Sequence, residues 1–440
     1  MKLTRTEKWP LSVSAEYKED IKDTITLYQR YVRALVSVCL THWSKLGGMS
    51  NMDSMREIEH LIHPTKKRPI VKYQYFHKVF YKFPSYLRRS AIHDAMGQAA
   101  SFLTRYDQWQ TNASRKNKWS KPPTLGVGGT YPSLYKGQCI KYADDLRSAE
   151  VKVFKGGDWK WIEVSIKHTG KRASEVNQKR VSPQLVCNGR KTFLAVPHEQ
   201  NVTLHEQQAE IVCAVDLGIN TSITASIVRS DGTVLARKFI NRPSDIDHMH
   251  KRIGFIRKAA RKTKKLTRGF ASGWYRKAYN IAKNGAHHMT RELVEFASEH
   301  DATTIVFEHL KGWRPKAPRK DLRQKFHTWM HRRVVEFTEW KWREYKGRMA
   351  FVSARNTSKY AYDGSGKVTR SINGNYSVCR FKNGKIYNAD LNATYNIAAK
   401  YFLRGREANQ SLSGKSPDKE QREPETLSAL WSAPALQRAA

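Results

Sequence analysis

Three carboxylates stand where an acid is expensive. Asp216 follows the apolar run 211–215 in "IVCAVDLGINTSITASIV", Glu308 closes the apolar run of "ATTIVFEHL", and Asp390 opens "NADLNATYNIAAKYF". Taken singly, each has a plain explanation: Asp216 caps a turn, Glu308 starts a loop, and Asp390 favours a helix N-terminus. Taken together they form an ordered set, because two acids each end an apolar strand and the third opens a late helix. Side chains at neighbouring strand ends can converge, and three carboxylates held together repel unless divalent cations lie among them. Carboxylate oxygens suit hard cations, and a pair of such cations serves phosphodiester hydrolysis, one activating water and the other stabilising the departing oxygen.

Composition supplies a matching substrate. Lys and Arg number 79 against 39 Asp and Glu, a formal charge of +40 on 440 residues. That excess is costly in self-repulsion unless a polyanion neutralises it, which points to nucleic acid. An anionic membrane would want an amphipathic anchor or an apolar span of about 18 residues, and the sequence offers neither. The start, "MKLTRTEKWPLSVS", is charged, is broken by Pro10 and lacks the apolar middle of a signal peptide, so export is not expected and a cytoplasmic location is. Other chemistries lack their motifs. There is no G-x-x-x-x-G-K-[ST] phosphate loop and no H-E-x-x-H; His248, His250, His287 and His288 read as surface or packing residues. The five cysteines, Cys39, Cys139, Cys187, Cys213 and Cys379, are scattered and form no C-x-x-C, so neither a disulfide framework nor a sequence-local cysteine zinc site is expected.

The elements that must position the acids follow from hydrophobic period. Residues 14–46 carry apolar side chains at helical spacing, and a second helix is expected over about 85–110, with Arg88 and Arg89 on a face that could track phosphates. A polar, Gly/Pro-rich break at 110–129 contains Lys116 and Lys118. Short β-type runs fill about 131–197, with Asn188 and Gly189 marking a hairpin. Three strand candidates around Asp216 make an antiparallel meander. Residues 251–283 then hold twelve Lys or Arg and no acid, interleaved with aromatics, so Arg257, Lys258, Arg261, Lys262, Lys264, Lys265 and Arg268 are candidate phosphate contacts. A helix over about 286–300, the strand ending at Glu308, a long helix to about 345 and a strand at 347–353 follow. Residues 354–388 read as loop, the Asp390 helix comes next, and the Ser, Pro, Glu and Gln-rich tail 404–440 is expected to be disordered.

A meander, a helix, a strand and a late helix delivering acids in this order is the arrangement of an RNase H-like fold. At these residues the sequence resembles the transposon-encoded TnpB proteins and the compact type V CRISPR effectors related to them. "VDLGINTSITASIV", "IVFEHLKGW", and "TSKYAYDGSG" followed by "NADLNATYNIAAKYF" match the three RuvC segments over about 211–402, and "FPSYLRRSAIHDA" resembles, less specifically, the recognition lobe. The resemblance implies an α+β multidomain protein: a β wedge module beginning at 1–13, a helical recognition lobe at 14–129, a small β-barrel oligonucleotide-binding wedge at 130–205, and a RuvC-like nuclease domain at 206–403 with a basic helical insert at 245–300. It further implies an RNA-guided DNA endonuclease with Asp216, Glu308 and Asp390 as catalytic metal ligands for Mg2+, for which Mn2+ can substitute. The partners would be a guide RNA and double-stranded target DNA with a short flanking motif, gripped by a monomer or a homodimer on one guide. Many relatives carry a four-cysteine zinc ribbon where 354–388 holds only Cys379, so no structural zinc is expected, and Tyr360, Tyr362, Tyr376 and Phe381 are expected to pack in its place. Two other readings fit the acids: an RNase H-fold nuclease or transposase that needs no guide, and a guide-directed DNA-binding repressor without nuclease activity.

Overall fold

The computed structural model describes residues 1–111, 121–126, 129–170, 178–189, 191–206, 209–218, 221–263, 266–267, 269–310, 331–372, 375–411 and 425–432. They divide into two compact units, Lys2–Asn201 and Val202–Ala440, with Met1 joining the latter.

In the first unit, β1 (Lys2–Ser12) is followed by α1 (Lys18–Thr41), α2 (Trp43–Leu46), α3 (Asn51–Ile62), α4 (Tyr75–Val79) and α5 (Ser85–Thr111), and then by β2 (Ile140–Tyr142), β3 (Ser148–Lys155), β4 (Asp158–Ile166), β5 (Lys179–Arg180), β6 (Gln184–Asn188) and β7 (Lys191–Asn201). The seven strands form one antiparallel sheet in the order β2-β3-β4-β1-β7-β5, with β6 also on β7. β1 sits between strands that lie far on in the chain: Trp9 is opposite Leu194 and Leu11 opposite Ile166. On α1, Ile21, Ile25, Tyr28, Val32, Leu35 and Val36 repeat at three- and four-residue steps and are buried, the helical stripe expected from sequence. Ser50 caps α3 by accepting a hydrogen bond from the Asp53 amide at 3.2 Å. The α1 stripe shares one core with Trp9, Val151, Val153, Leu194 and Val196 of the sheet. Helices and strands that the sequence reading separates at residue 130 thus bury one another's apolar faces, each side chain of this size contributing about 1.5–3 kcal/mol.

The second unit is built on a five-stranded sheet of β8 (Ile211–Asp216), β9 (Ile223–Arg229), β10 (Val234–Ile240), β11 (Thr304–Glu308) and β12 (Arg348–Val352), in the order β10-β9-β8-β11-β12. The first three are the antiparallel meander, whereas β11 runs parallel to both β8 and β12. Between β10 and β11 lie α6 (Pro243–Lys262) and α7 (Ser272–Glu299); α8 (His331–Glu344) precedes β12, and α9 (Ala389–Ser411) follows later. Alternation along the strands divides the side chains between two layers. Cys213, Val215, Ile305 and Phe307 pack with Met289, Leu293 and Phe296 of α7 and with Val334 and Trp342 of α8. Val212, Ala214, Val228 and Val306 pack with Tyr395, Ala398, Ala399 and Phe402 of α9. Among the described residues no helix is long and apolar enough to cross a membrane.

Two expectations are corrected. Residues 354–388 are not simply loop: β13 (Thr369–Ile372), β14 (Asn375–Arg380) and β15 (Ile386–Asn388) form an antiparallel sheet. Its small core joins Ala361, Cys379, Phe381 and Ala389 with Tyr362, Val368 and Tyr387. Tyr362 meets Phe381 edge-on at 5.6 Å, but Tyr376 is 67% exposed and takes no part. Nor is the whole region after 404 without order. The α9 helix continues to Ser411, and α10 (Leu427–Trp431) docks through Leu427 and Leu430 against the α9 layer. The composition of 404–440 is polar on average, and a five-residue helix held by two leucines is too short to register in it.

Candidate active site

Parity along the strands decides where the acids point. Asp216 continues the 212–214 row and Glu308 the 306 row, which places both on the α9 side of the sheet. In the parallel β8–β11 pair Val215 is opposite Phe307, so the next residues, Asp216 and Glu308, end adjacent strands side by side, with backbones about 4.8 Å apart. Asp390 lies in the first turn of α9, the helix that covers this same face. A buried hydrogen bond between the Ser226 and Thr394 hydroxyls, 2.6 Å, fixes α9 against β9 one turn beyond Asp390. Just past Asp216, a Cβ on Gly218 would meet the Thr221 carbonyl oxygen at 2.4 Å, so the position admits only glycine.

The electrostatics are those of carboxylates in want of a cation. Burial pushes the Asp216 carboxyl well above the ordinary carboxylate range, and the charges of Glu308 and then Asp390 push it further; Arg370 pulls it back. Burial also raises Glu308, against a hydrogen bond from Thr357 and the charges of Lys400 and Arg370. Asp390 is raised by burial and lowered by Arg370. The charges of Glu308 and Asp390 thus both reach Asp216. Oxygen-only, desolvated and mutually repelling donors fit a hard divalent cation. The set is open, however: among the described residues no three carboxylate, imidazole or thiol groups are drawn together tightly enough to close on one ion.

Arg370 was not singled out by sequence, because its position depends on the small sheet, where it lies opposite Cys379 on β14. The Asn-Gly pairs at 373–374 and 383–384 were the available signal, since Asn-Gly marks tight hairpins. Thr357 and Lys400 also bear on Glu308; they lie in the segments "TSKYAYDGSG" and "NADLNATYNIAAKYF", but nothing in those segments marks either residue individually.

The candidate phosphate contacts separate. Arg88 is buried at 8% exposure and its Nε donates to Glu59 at 3.2 Å, which commits it to the core of the first unit and removes it from the phosphate-binding set. Arg89 shares Glu59 at 3.4 Å but keeps 41% of its side chain exposed. Arg257, Lys258, Arg261 and Lys262 are exposed on α6, whose buried side holds Met249 and Ile256. Beside them Phe255, Trp274, Tyr275 and Tyr279 are also exposed, Trp274 lying edge-on to Phe255 with Arg252 over its ring at 5.6 Å. Lys116, Lys118, Lys264, Lys265 and Arg268 lie outside the described residues. His287 is a packing residue, stacked on Phe337 at 4.2 Å.

The second unit is thus an α+β fold that places three carboxylates on the face of its five-stranded sheet covered by its last long helix. Comparison with known proteins agrees with the resemblance read from the motifs. The chain is 26% identical over 253 residues to the TnpB-like protein ORF457 of Acidianus two-tailed virus, a match covering 54% of this chain and 48% of that protein. The chain therefore spans about half the length of this curated relative. A family model described as the Aq_aa04 family matches residues 5–155, within the first unit. Among solved structures, a Cas12f1–sgRNA–target DNA complex is similar at 15% identity over 90% of this chain and 98% of that one, with a TM-score of 0.34. The mini-RNA-guided endonuclease CRISPR-Cas_phi3 is similar at 10% identity over 92% of each chain, with a TM-score of 0.47. At these values the likenesses assign no activity, and the fold rests on strand order and register.

Proposed function

We propose that the protein is an RNA-guided DNA endonuclease that hydrolyses phosphodiester bonds at a single site formed by Asp216, Glu308 and Asp390. The observation that carries this reading is the in-register pair Asp216 and Glu308 at the ends of parallel strands, faced by Asp390 on the covering helix, in a chain of formal charge +40. Asp216, Glu308 and Asp390 would hold Mg2+, or Mn2+ in its place. The bound cations would supply an activated water and stabilise the leaving oxygen. The chain's own part is to hold three carboxylates desolvated and aimed at one place, so that little reorganisation is needed when the phosphate arrives. The first unit, with its helices and seven-stranded sheet, would act as recognition lobe and oligonucleotide-binding wedge for a guide RNA and a short flanking motif in duplex DNA. The exposed basic and aromatic side chains of α6 and α7 would contact phosphates and stack on bases. The likeness to a TnpB-like protein favours the guided reading over an unguided RNase H-fold nuclease.

The test has two arms. RNA that co-purifies with the chain is sequenced, and Asp216→Ala is assayed for cleavage of guide-matched DNA with Mg2+. One abundant RNA with a constant scaffold and a variable end is the expected result, with cleavage lost by at least about 10³-fold in D216A while RNA binding is kept. Cleavage by D216A at the wild-type rate would remove the site assignment. RNA-free protein that cuts with Mg2+ would establish the unguided nuclease instead, and tight guided DNA binding without cutting under any divalent metal would establish the repressor.

A further inference from the structure

The α9 helix carries more than Asp390. Its residues Asn392, Asn396 and Lys400 recur every fourth position and so stand in one row. All three are buried, at 1%, 1% and 4% exposure, where polar side chains are usually kept only when hydrogen-bonded; of their side-chain atoms, the Asn396 Oδ1 has no hydrogen-bond partner among the described residues. Their partners are almost all backbone atoms of a single segment, 353–362. The Asn392 side chain accepts from the Tyr362 amide at 2.8 Å and donates to the Tyr360 carbonyl at 2.9 Å. The Asn396 amide donates to the Thr357 and Tyr360 carbonyls, each at 2.9 Å. The Lys400 ammonium donates to the Ser353 carbonyl at 3.2 Å and to the Arg355 carbonyl, and pairs with Glu425 at 3.3 Å.

What this row holds in place is Thr357, a residue only 1% exposed. Its hydroxyl hydrogen-bonds Glu308 Oε1 and also lies 3.0 Å from the Ala354 carbonyl. A hydroxyl has one proton to donate, and an ionised carboxylate is the stronger acceptor, so the proton is directed to Glu308. One oxygen of Glu308 is then held by the protein and the other is left for a cation. Partners that orient a ligating carboxylate in this way typically matter 10- to 100-fold for metal affinity or activity.

We propose that Thr357 is a positioning residue for Glu308, and that the buried Asn392, Asn396 and Lys400 row exists to hold the 353–362 segment that presents it. Glu425, just ahead of α10, supplies the counter-charge to the end of the row, which gives the C-terminal segment a share in site geometry. The proposal rests on the assignment of Glu308 as a metal ligand given above.

The test compares Thr357→Ser with Thr357→Ala in the full chain, two variants that both lose the methyl and differ only in the hydroxyl. Mn2+ binding is read by the paramagnetic resonance signal of free Mn2+, and guided DNA cleavage is measured alongside; Glu308→Gln defines the Mn2+ that depends on this carboxylate. The expected result is that T357A weakens that Mn2+ about 10-fold or more and T357S restores it to within about threefold, with thermal midpoints of the two variants close together. Asn396→Ala is expected to weaken Mn2+ in the same direction although it touches no acid. If T357A and T357S are equal on both readouts while E308Q remains defective, the positioning role is overturned and the nuclease reading stands. If E308Q itself keeps its Mn2+ and its cleavage, the assignment of Glu308 fails, and the proposal with it.

Discussion

Arg88 and Arg89 are neighbours of identical type with different fates. Arg88 faces inward to Glu59, and removing Glu59 would leave a guanidinium buried without its partner, a loss on the order of 3–5 kcal/mol. Sequence composition treats both as phosphate contacts because charge is visible in sequence and direction is not. A half-buried carboxyl, Asp94, allows a test with a defined sign. Burial raises the Asp94 carboxyl, although Tyr28 donates a hydrogen bond to it at 2.7 Å. A carboxyl whose folded value lies above its unfolded one binds protons better when folded, so its contribution to stability is present in acid and lost as pH rises through the folded value. Asp94→Asn, which keeps an acceptor for Tyr28 and has no charge to bury, is expected to gain thermal midpoint relative to wild type as pH rises from about 4 to 7. Parallel melting curves at those pH values check this; a constant difference would mean that Asp94 is not desolvated as the structure places it.

At the scale of elements, the α10 helix shows how a short segment becomes ordered. Leu427 and Leu430 are buried at 1% and 2%, the Trp431 indole donates to the Gly232 carbonyl at 3.3 Å, and the Ser428 amide donates to the Tyr362 carbonyl at 2.8 Å. Gly232 is required twice over. Its φ of +89° favours glycine, and a Cβ there would lie 2.6 Å from Trp431 Cδ1. Gly232→Ala is therefore expected to release α10 and to cost about 1–3 kcal/mol. Limited proteolysis should then cut within 425–432 at least tenfold faster than in wild type; an unchanged cutting rate would mean that the contact does not hold the segment. The small sheet of β13, β14 and β15 teaches the same lesson. A core of Ala361, Cys379, Phe381 and Tyr362 is assembled from residues too far apart for any sequence period to reveal.

For the whole molecule, charge is the dominant property. A chain of +40 that neutralises six to ten phosphates should lose about 10³ to 10⁵ in affinity for nucleic acid between 50 and 200 mM salt. Replacing Arg257, Lys258, Arg261 and Lys262 together by Gln is expected to reduce the slope of log K against log salt by about 3 to 4, measured by filter binding of RNA or duplex DNA. Arg88→Gln is expected to lower stability and leave the slope unchanged. Equal slopes for the quadruple variant and the wild type would show that this face of α6 does not meet phosphate.

Much of this protein was determined by sequence alone. The meander, the strand ending at Glu308, the late helix and the basic insert are legible because each rests on local period and apolar runs, and the acids stand out because they interrupt those runs. Tertiary structure decided everything that needed two distant segments at once. Parallel register set Asp216 beside Glu308, and α9 brought Asp390 to their face. The small sheet brought Arg370 into range of all three acids, and the Asn392, Asn396 and Lys400 row carried Thr357 to Glu308. The physical reason is that a side chain's partner is chosen by burial and hydrogen-bond satisfaction across the fold, whereas sequence period records only which face of its own element that side chain occupies.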